Sequence, residues 1–154
     1  MAIIKSILCP IDLSECSAHA LDYAIAFSKT LRANLQLLHV YEDPIARVPF
    51  GRAGTAGLAS AARDDVEEAR KKRYVEIERL HQLCREHGLT TDAEEVEGVP
   101  AETIVKVAQE RNFDLIAMGT HGRTGLKHVL LGSVAERVVR TASCPVLTVR
   151  SPGK

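Results

Sequence analysis

The feature that most constrains this chain is the regular alternation of short apolar, β-rich runs with longer stretches of helical periodicity. Parallel strands need a crossover long enough to hold a helix, and that helix then covers one face of the sheet. Alternation of this kind therefore predicts an α/β chain built from βαβ units. Ile3 to Leu8 reads as the first strand, ended by Pro10. Its near-continuous apolar character suits a central strand covered on both faces. Ser14 or Asp12 can cap the helix that follows, in which Ala20, Ala24, Phe27 and Leu31 recur at steps of 4, 3 and 4. Leu35 to Tyr41 reads as the second strand.

Glu42 to Gly57 carries two prolines and three glycines without periodicity, which predicts a loop longer than the usual α/β connection, a lid or an insert. A long helical pattern runs from Leu58 to His87, with Ala62, Val66, Ala69, Ile77, Leu80 and Cys84 on one face. Arg73 interrupts that stripe and Gly88 stops the helix. Thr90 to Val96, with its acidic alternation, fits a strand at the sheet edge. Pro100 suits the first position of a third helix with Ile104, Val105 and Ala108 as its buried stripe. Phe113 to Met118 is a fourth strand, Val134 to Ala142 a final helix, and Val146 to Val149 a last strand. The expectation is five strands and four helices in one domain spanning 1–154, a length that suits a single core.

Charge narrows the functional classes. Lysine plus arginine equals aspartate plus glutamate at 20 each, so no global field draws the chain to nucleic acid or to an anionic membrane. The N-terminal Met-Ala-Ile-Ile-Lys is not a signal peptide, and no window reaches the ~18 apolar residues of a membrane span, which together predict a cytoplasmic protein. The four cysteines, Cys9, Cys16, Cys84 and Cys144, form neither a Cys-x-x-Cys pair nor metal-ligand spacing. They read as reduced, mostly buried thiols; a redox-sensing thiol is the alternative, and no basic cluster singles one out.

The stretch that carries chemistry is Gly119-Thr-His-Gly122-Arg-Thr-Gly125-Leu-Lys-His-Val-Leu-Leu-Gly132-Ser133, between the fourth strand and the last helix. In open parallel sheets, ligands sit outside the carboxyl ends of the strands where the strand order reverses. Glycines let backbone amides approach phosphate oxygens, and the amides at a helix N-terminus favour an anion. Other phosphate motifs are missing: there is no Gly-x-x-x-x-Gly-Lys-Ser/Thr run, no Gly-x-Gly-x-x-Gly after the first strand, and no kinase catalytic sequence. Each piece also has a structural reading. Gly119 and Gly122 can be turn glycines, and Ser133-Val-Ala-Glu136 has the form of a capping box. Asp12 can be a helix cap, His121 a loop imidazole, and His39 a satisfied core histidine.

The spacing Gly119-x2-Gly122-x9-Gly132-Ser133 resembles the nucleotide-binding signature of the universal stress protein family. Leu131-Gly-Ser-Val-Ala-Glu136, Cys144-Pro-Val-Leu-Thr-Val149 and Cys9-Pro-Ile-Asp12-Leu-Ser14 are also similar to that family. The resemblance implies a Rossmann-like five-stranded parallel sheet in the order 3-2-1-4-5, with helices on both faces. It further implies the ATP-binding branch, with AMP, ADP or cyclic AMP as alternative occupants and Mg2+ accompanying ATP. Carried over, Pro10, Ile11 and Asp12 belong to the nucleotide site, with Asp12 at the ribose or base end, and backbone groups of Val40 meet the adenine edge. Met118, Gly119, His121 and Gly122 line the ribose and phosphate path, while Gly132, Ser133 and Val134 hold the outer phosphates. A homodimer through the last strand, Val146 to Val149, is implied as well.

Three functions follow from this reading. One is an adenine-nucleotide-binding stress or signalling protein that acts through conformational state and partners. Another is a slow ATPase or self-phosphorylating enzyme, disfavoured because no general base or pair of metal carboxylates is evident. The third is a dimeric interaction module whose glycine loop is purely structural.

Overall fold

The computed structural model describes residues 3–42, 56–121 and 131–151, with the side chains of 56–63 outside that description. The elements in chain order are β1 (Ser6–Ile11), α1 (Glu15–Leu31), β2 (Asn34–Tyr41), α2 (Ala56–Glu86), β3 (Thr91–Glu97), α3 (Pro100–Glu110), β4 (Leu115–Gly119), α4 (Ser133–Thr141) and β5 (Val146–Val149). The five strands form one parallel sheet in the order β3-β2-β1-β4-β5.

Side-chain alternation along the strands divides the core in two. Ile7, Cys9 and Ile11 of β1, Leu35 and Leu37 of β2, and Leu115 and Ala117 of β4 pack under α1 and α2, with Leu21, Ile25, Ile77, Leu80 and Cys84. Leu8, Leu38, Ile116 and Met118 face the other way, under Ile104 and Ala108 of α3 and Ala135 and Val138 of α4. Helices thus cover both faces, and β1, buried on both, is the apolar centre that its sequence demands.

Several boundaries differ from the sequence reading. β1 does not end at Pro10 but begins at Ser6 and runs through Pro10 to Ile11, leaving Ile3 62% exposed. In α1 the buried stripe is Ser17, Leu21, Ala24, Ile25 and Ser28 with Cys16 and Ala20, so Phe27 and Leu31 lie at its exposed margin. Residue spacing alone does not tell which of two adjacent apolar stripes meets the sheet. α2 takes in Ala56 and Gly57, consistent with the helix propensity of the alanines at its start, while residues 43–55 of the expected loop lie outside the described residues. Ala69 on α2 is exposed and Ala62 lies outside the described side chains. In α3, Val107 rather than Val105 joins Ala101, Ile104 and Ala108 in the core. β4 starts at Leu115, because the Phe113 amide still bonds to the Ala108 carbonyl at the end of α3.

Among these strands β5 lies at a sheet edge, hydrogen-bonded to β4 on one side. At the amino ends of the central strands, the Asp114 carboxylate accepts the amides of Lys5 and Ser6 at 2.9 and 3.0 Å and the Ser6 hydroxyl at 2.9 Å. That clamp aligns β1 with β4 at the end remote from the glycine segment.

Candidate functional site

The two central strands separate where Pro10 stands. β1 pairs with β2 as far as Ile11 opposite His39, but its register with β4 covers only Ile7 opposite Leu115 and Leu8 opposite Ile116. The Lys5 carbonyl bonds toward β2 and the Ser6 carbonyl toward Asp114 before β4, so even-numbered residues of β1 direct their backbone groups at β4. Pro10 has no N–H to offer there, and the ladder stops. The crevice that results is at the carboxyl ends of the strands, where the chain order reverses between β1 and β4.

A cavity of about 260 Å³ fills this crevice. Pro10, Ile11 and Asp12 reach it from β1 and the turn after it, and Val40 from β2. Met118, Gly119 and His121 line it from β4 and beyond, and Gly132, Ser133 and Val134 from the start of α4. The structure thus brings together every site residue expected from the sequence apart from Gly122, which lies outside the described residues. Six further lining residues escaped the sequence reading: Ser17, Leu38, Pro100, Ile104, Thr120 and Ala135. Leu38 was accessible by period two from Val40, and Thr120 stands inside the glycine signature. Nothing local marks Ser17, Pro100 or Ile104, which reach the cavity only through helix packing.

The turn after β1 is held by its own side chains. Asp12 Oδ1 accepts the amide of Ser14 at 3.1 Å and its hydroxyl at 2.5 Å. Ser14, not Asp12, is the N-cap of α1, accepting the Ser17 amide at 3.2 Å. Between them Leu13 has φ 65°, a conformation that is unusual for a branched side chain. Its side chain packs against the core under α1 and α2, which holds the turn in this shape.

Behind the cavity, Gly119 meets the first turn of α1. A Cβ there would lie 2.8 Å from Cys16 Sγ and 3.1 Å from both the carbonyl carbon and oxygen of Cys16, so only glycine fits. The Cys16 thiol donates to the Val149 carbonyl at 3.5 Å and lies 4.0 Å from Thr120 Oγ1. Burial alone would push this thiol up. Hydrogen bonds from the Ser151 side chain, the backbone of His121 and Thr120, and the Thr120 hydroxyl together outweigh it and bring the group below its ordinary value. Environment, not a basic cluster, sets Cys16 apart from Cys9 and Cys84, whose thiols burial pushes up, Cys84 to about 11.

Ser133 is not the cap that its Ser-x-x-Glu pattern suggests. Gly132 is the N-cap, its carbonyl accepts the Glu136 amide at 2.8 Å, and no side chain caps the helix. Glu136 pairs instead with Arg140 at 3.2 Å. The Gly132 amide is already bound to the Thr120 carbonyl at 2.7 Å, and this tertiary bond starts the helix one residue early. Ser133 becomes the first helical residue, exposed and facing the cavity. His39 is buried on β2 with Nδ1 3.5 Å from Glu95 Oε2, a core histidine on the opposite face from the cavity.

Comparison with known proteins accords with this architecture. The sequence matches the family model described as Universal stress protein family over residues 4–150. The chain belongs to the universal stress protein family. Universal stress protein MJ0531 of Methanocaldococcus jannaschii is 37% identical over 151 residues, covering 97% of this chain and 84% of that protein. Among solved structures, hypothetical protein MJ0577 of the same organism superimposes with a TM-score of 0.82 at 29% identity, over 99% of this chain and all of that one. A universal stress protein crystallised in complex with cAMP shares the fold with a TM-score of 0.69 at 22% identity, over 98% of this chain and 100% of that one.

Proposed function

We propose that this universal stress protein binds an adenine nucleotide, ATP foremost, in the crevice at the carboxyl ends of β1, β2 and β4. The observation that carries the reading is the meeting, in one cavity, of an apolar slot and a helix N-terminus. Pro10, Leu38, Val40, Ile104 and Met118 offer a wall for a flat base, while Ser133 and Val134 open α4 with backbone amides and the positive end of its dipole. The cAMP complex of a relative with the same fold supports an adenine nucleotide as the occupant. With AMP, ADP or cyclic AMP in place of ATP the wall serves equally; the outer phosphates are what α4 adds.

Asp12 is the one carboxylate among the described residues that line the cavity, and the described residues hold no cluster of three His, Cys, Asp or Glu side chains suited to a metal. Such a lining suits Mg2+ that arrives on the nucleotide's phosphates, where it would neutralise phosphate charge, more than a site built by the protein. Asp12 and the hydroxyl of Ser133 are the groups placed to meet it. We assign the protein a signalling role through nucleotide state and partners, with residues 1–154 acting as one domain in the cytoplasm. No described helix is long and apolar enough to cross a membrane. A homodimer through β5 would remove the unmet backbone groups of that edge.

The test is to denature the purified protein and identify the released small molecules by chromatography and absorbance. An adenine nucleotide in near-stoichiometric amount is expected, or its uptake after dialysis against ATP. Protein that neither carries nor takes up any nucleotide would remove the reading.

A further inference from the structure

Arg73 breaks the apolar stripe of α2 and takes no part in lining the cavity. Its side chain is nevertheless turned to the sheet and only 20% exposed. Nη2 donates to Glu95 Oε1 of β3 at 3.4 Å, and the guanidinium carbon lies 5.3 Å from the centre of the Tyr41 ring of β2. The other oxygen of Glu95 is 3.5 Å from His39 Nδ1, also on β2. A single arginine of α2 thus engages both strands near their carboxyl ends, on the face away from the cavity. We propose that Arg73 is a positioning residue for the base slot: by holding the Tyr41 ring it fixes the end of β2, and with it two walls of the cavity. The inference rests on the nucleotide reading above.

The end of β2 needs such a hold because it has lost a neighbour. Register with β1 stops at Ile11 opposite His39, and Val40 and Tyr41 continue in register with β3 alone, opposite Val96 and Glu97. The departure of β1 is what opens the crevice, so the residues that border it have a paired strand on one side only. Side chains alternate along a strand, which sends Val40 into the cavity and Tyr41 toward α2. The Tyr41 carbonyl accepts the Gly98 amide at 2.9 Å, and Pro100, just beyond Gly98, lines the cavity from the start of α3. A displaced Tyr41 would therefore move Val40 directly and Pro100 through Gly98.

The chemistry of arginine suits this task. A planar, permanently charged guanidinium can lie against an aromatic face while its N–H groups serve a carboxylate. Glu95 stands opposite His39 in the register, so Tyr41 is its diagonal neighbour on the same face, within reach of one long side chain. An aliphatic residue at 73 would complete the stripe of α2 and hold neither group. The start of α4, where phosphates would lie, is carried by β4 and Thr120 and has no contact with this cluster, so the effect falls on the base end alone.

Amide hydrogen exchange, followed by NMR on the unliganded protein, reads the end of β2 through the Gly98 amide. Arg73→Met keeps an apolar stem and removes the guanidinium. It should speed Gly98 exchange about two- to tenfold and leave the Gly132 amide, bonded to Thr120 at the other end of the cavity, unchanged. Affinities for ATP and AMP should fall by one common factor of about two to ten, because both carry the base and the α4 end is untouched. Tyr41→Leu should act alike, and the double variant should bind no worse than the weaker single one, since both remove one contact. Arg73→Lys, which keeps a charge for Glu95 without the flat face, should lie between wild type and Arg73→Met. Wild-type exchange at Gly98 in Arg73→Met, or equal acceleration at Gly98 and Gly132, would overturn the proposal. Unchanged ATP affinity, or additive losses in the double variant, would overturn it too. If Arg73→Met does not fold, wild-type values in Arg73→Lys overturn it instead. Wild type that binds neither nucleotide would sink the nucleotide reading alone, because the exchange is read without ligand.

Discussion

The carbonyl of Thr120 accepts the amide of Gly132 at 2.7 Å, so the two ends of the glycine segment are joined directly. A Cβ on Gly132 would lie 3.0 Å from that same carbonyl oxygen. The bond and the lack of room for a side chain are two consequences of one close approach, and a branched side chain would force the ends apart. Gly132→Val is therefore expected to lower the melting temperature modestly, with the far-UV circular dichroism kept. An unchanged melting temperature would mean that the segment accommodates the side chain without opening.

Gly119→Ala should be the more damaging change. Its new methyl would meet Cys16 Sγ at 2.8 Å and the Cys16 carbonyl carbon and oxygen at 3.1 Å, in a core with nowhere to move. Overpacking of this kind costs about 1–3 kcal/mol, read by urea unfolding. In a Cys16→Ala background the loss should be relieved only in part, because the backbone of residue 16 remains. Full relief would show that the thiol alone made the clash.

Ser133→Ala separates stability from binding. The hydroxyl makes no cap, so the change should alter stability by less than about 0.5 kcal/mol, against the ~1 kcal/mol typical of a lost serine cap. A charge-assisted bond to phosphate is worth about 1.5–3 kcal/mol, so ATP affinity should fall roughly 10- to 100-fold. Thermal unfolding with and without ATP measures both. A lowered melting point with the same ATP-induced shift would contradict the expectation on both counts.

These residues also show what was legible in the chain. β5 was readable to the residue, since Val146–Val149 is an apolar run between Pro145 and Arg150. The slot at Pro10, Asp12 and Val40 was implied by the family resemblance, and Met118 and Gly119 mark the end of β4. The capping-box alternative for Ser133 fails because its Ser-x-x-Glu pattern is local, whereas the Thr120 bond that makes Gly132 the cap spans twelve residues of sequence. Phe27 and Leu31 satisfy helical spacing as well as Leu21 and Ile25 do, and only the sheet decides which stripe is buried. Ile104 and Ser17 reach the cavity by tertiary packing, for which the sequence has no local mark.

The clamp at the other end of the sheet predicts a pH dependence. The backbone amide of Lys5, then the Ser6 hydroxyl, hold the Asp114 carboxyl below its usual range. A folded-state value below the unfolded one means that the contribution is present above about pH 4 and is lost as pH falls through the folded value. Asp114→Asn should cost about 1 kcal/mol near neutral pH, kept small by solvent screening at this partly exposed site. The difference from wild type should vanish in acid. A gap that persists in unfolding curves taken well below pH 3 would assign the effect to packing.

The most direct measurement for the nucleotide account is a calorimetric titration of ATP into wild type and Gly132→Val, after circular dichroism establishes that both are folded. Saturable binding with one nucleotide per chain is expected in wild type, competed by AMP and weakened at least tenfold in the variant. No binding in wild type, or the same affinity in both proteins, would contradict the assignment of the crevice between β1 and β4 as the nucleotide site.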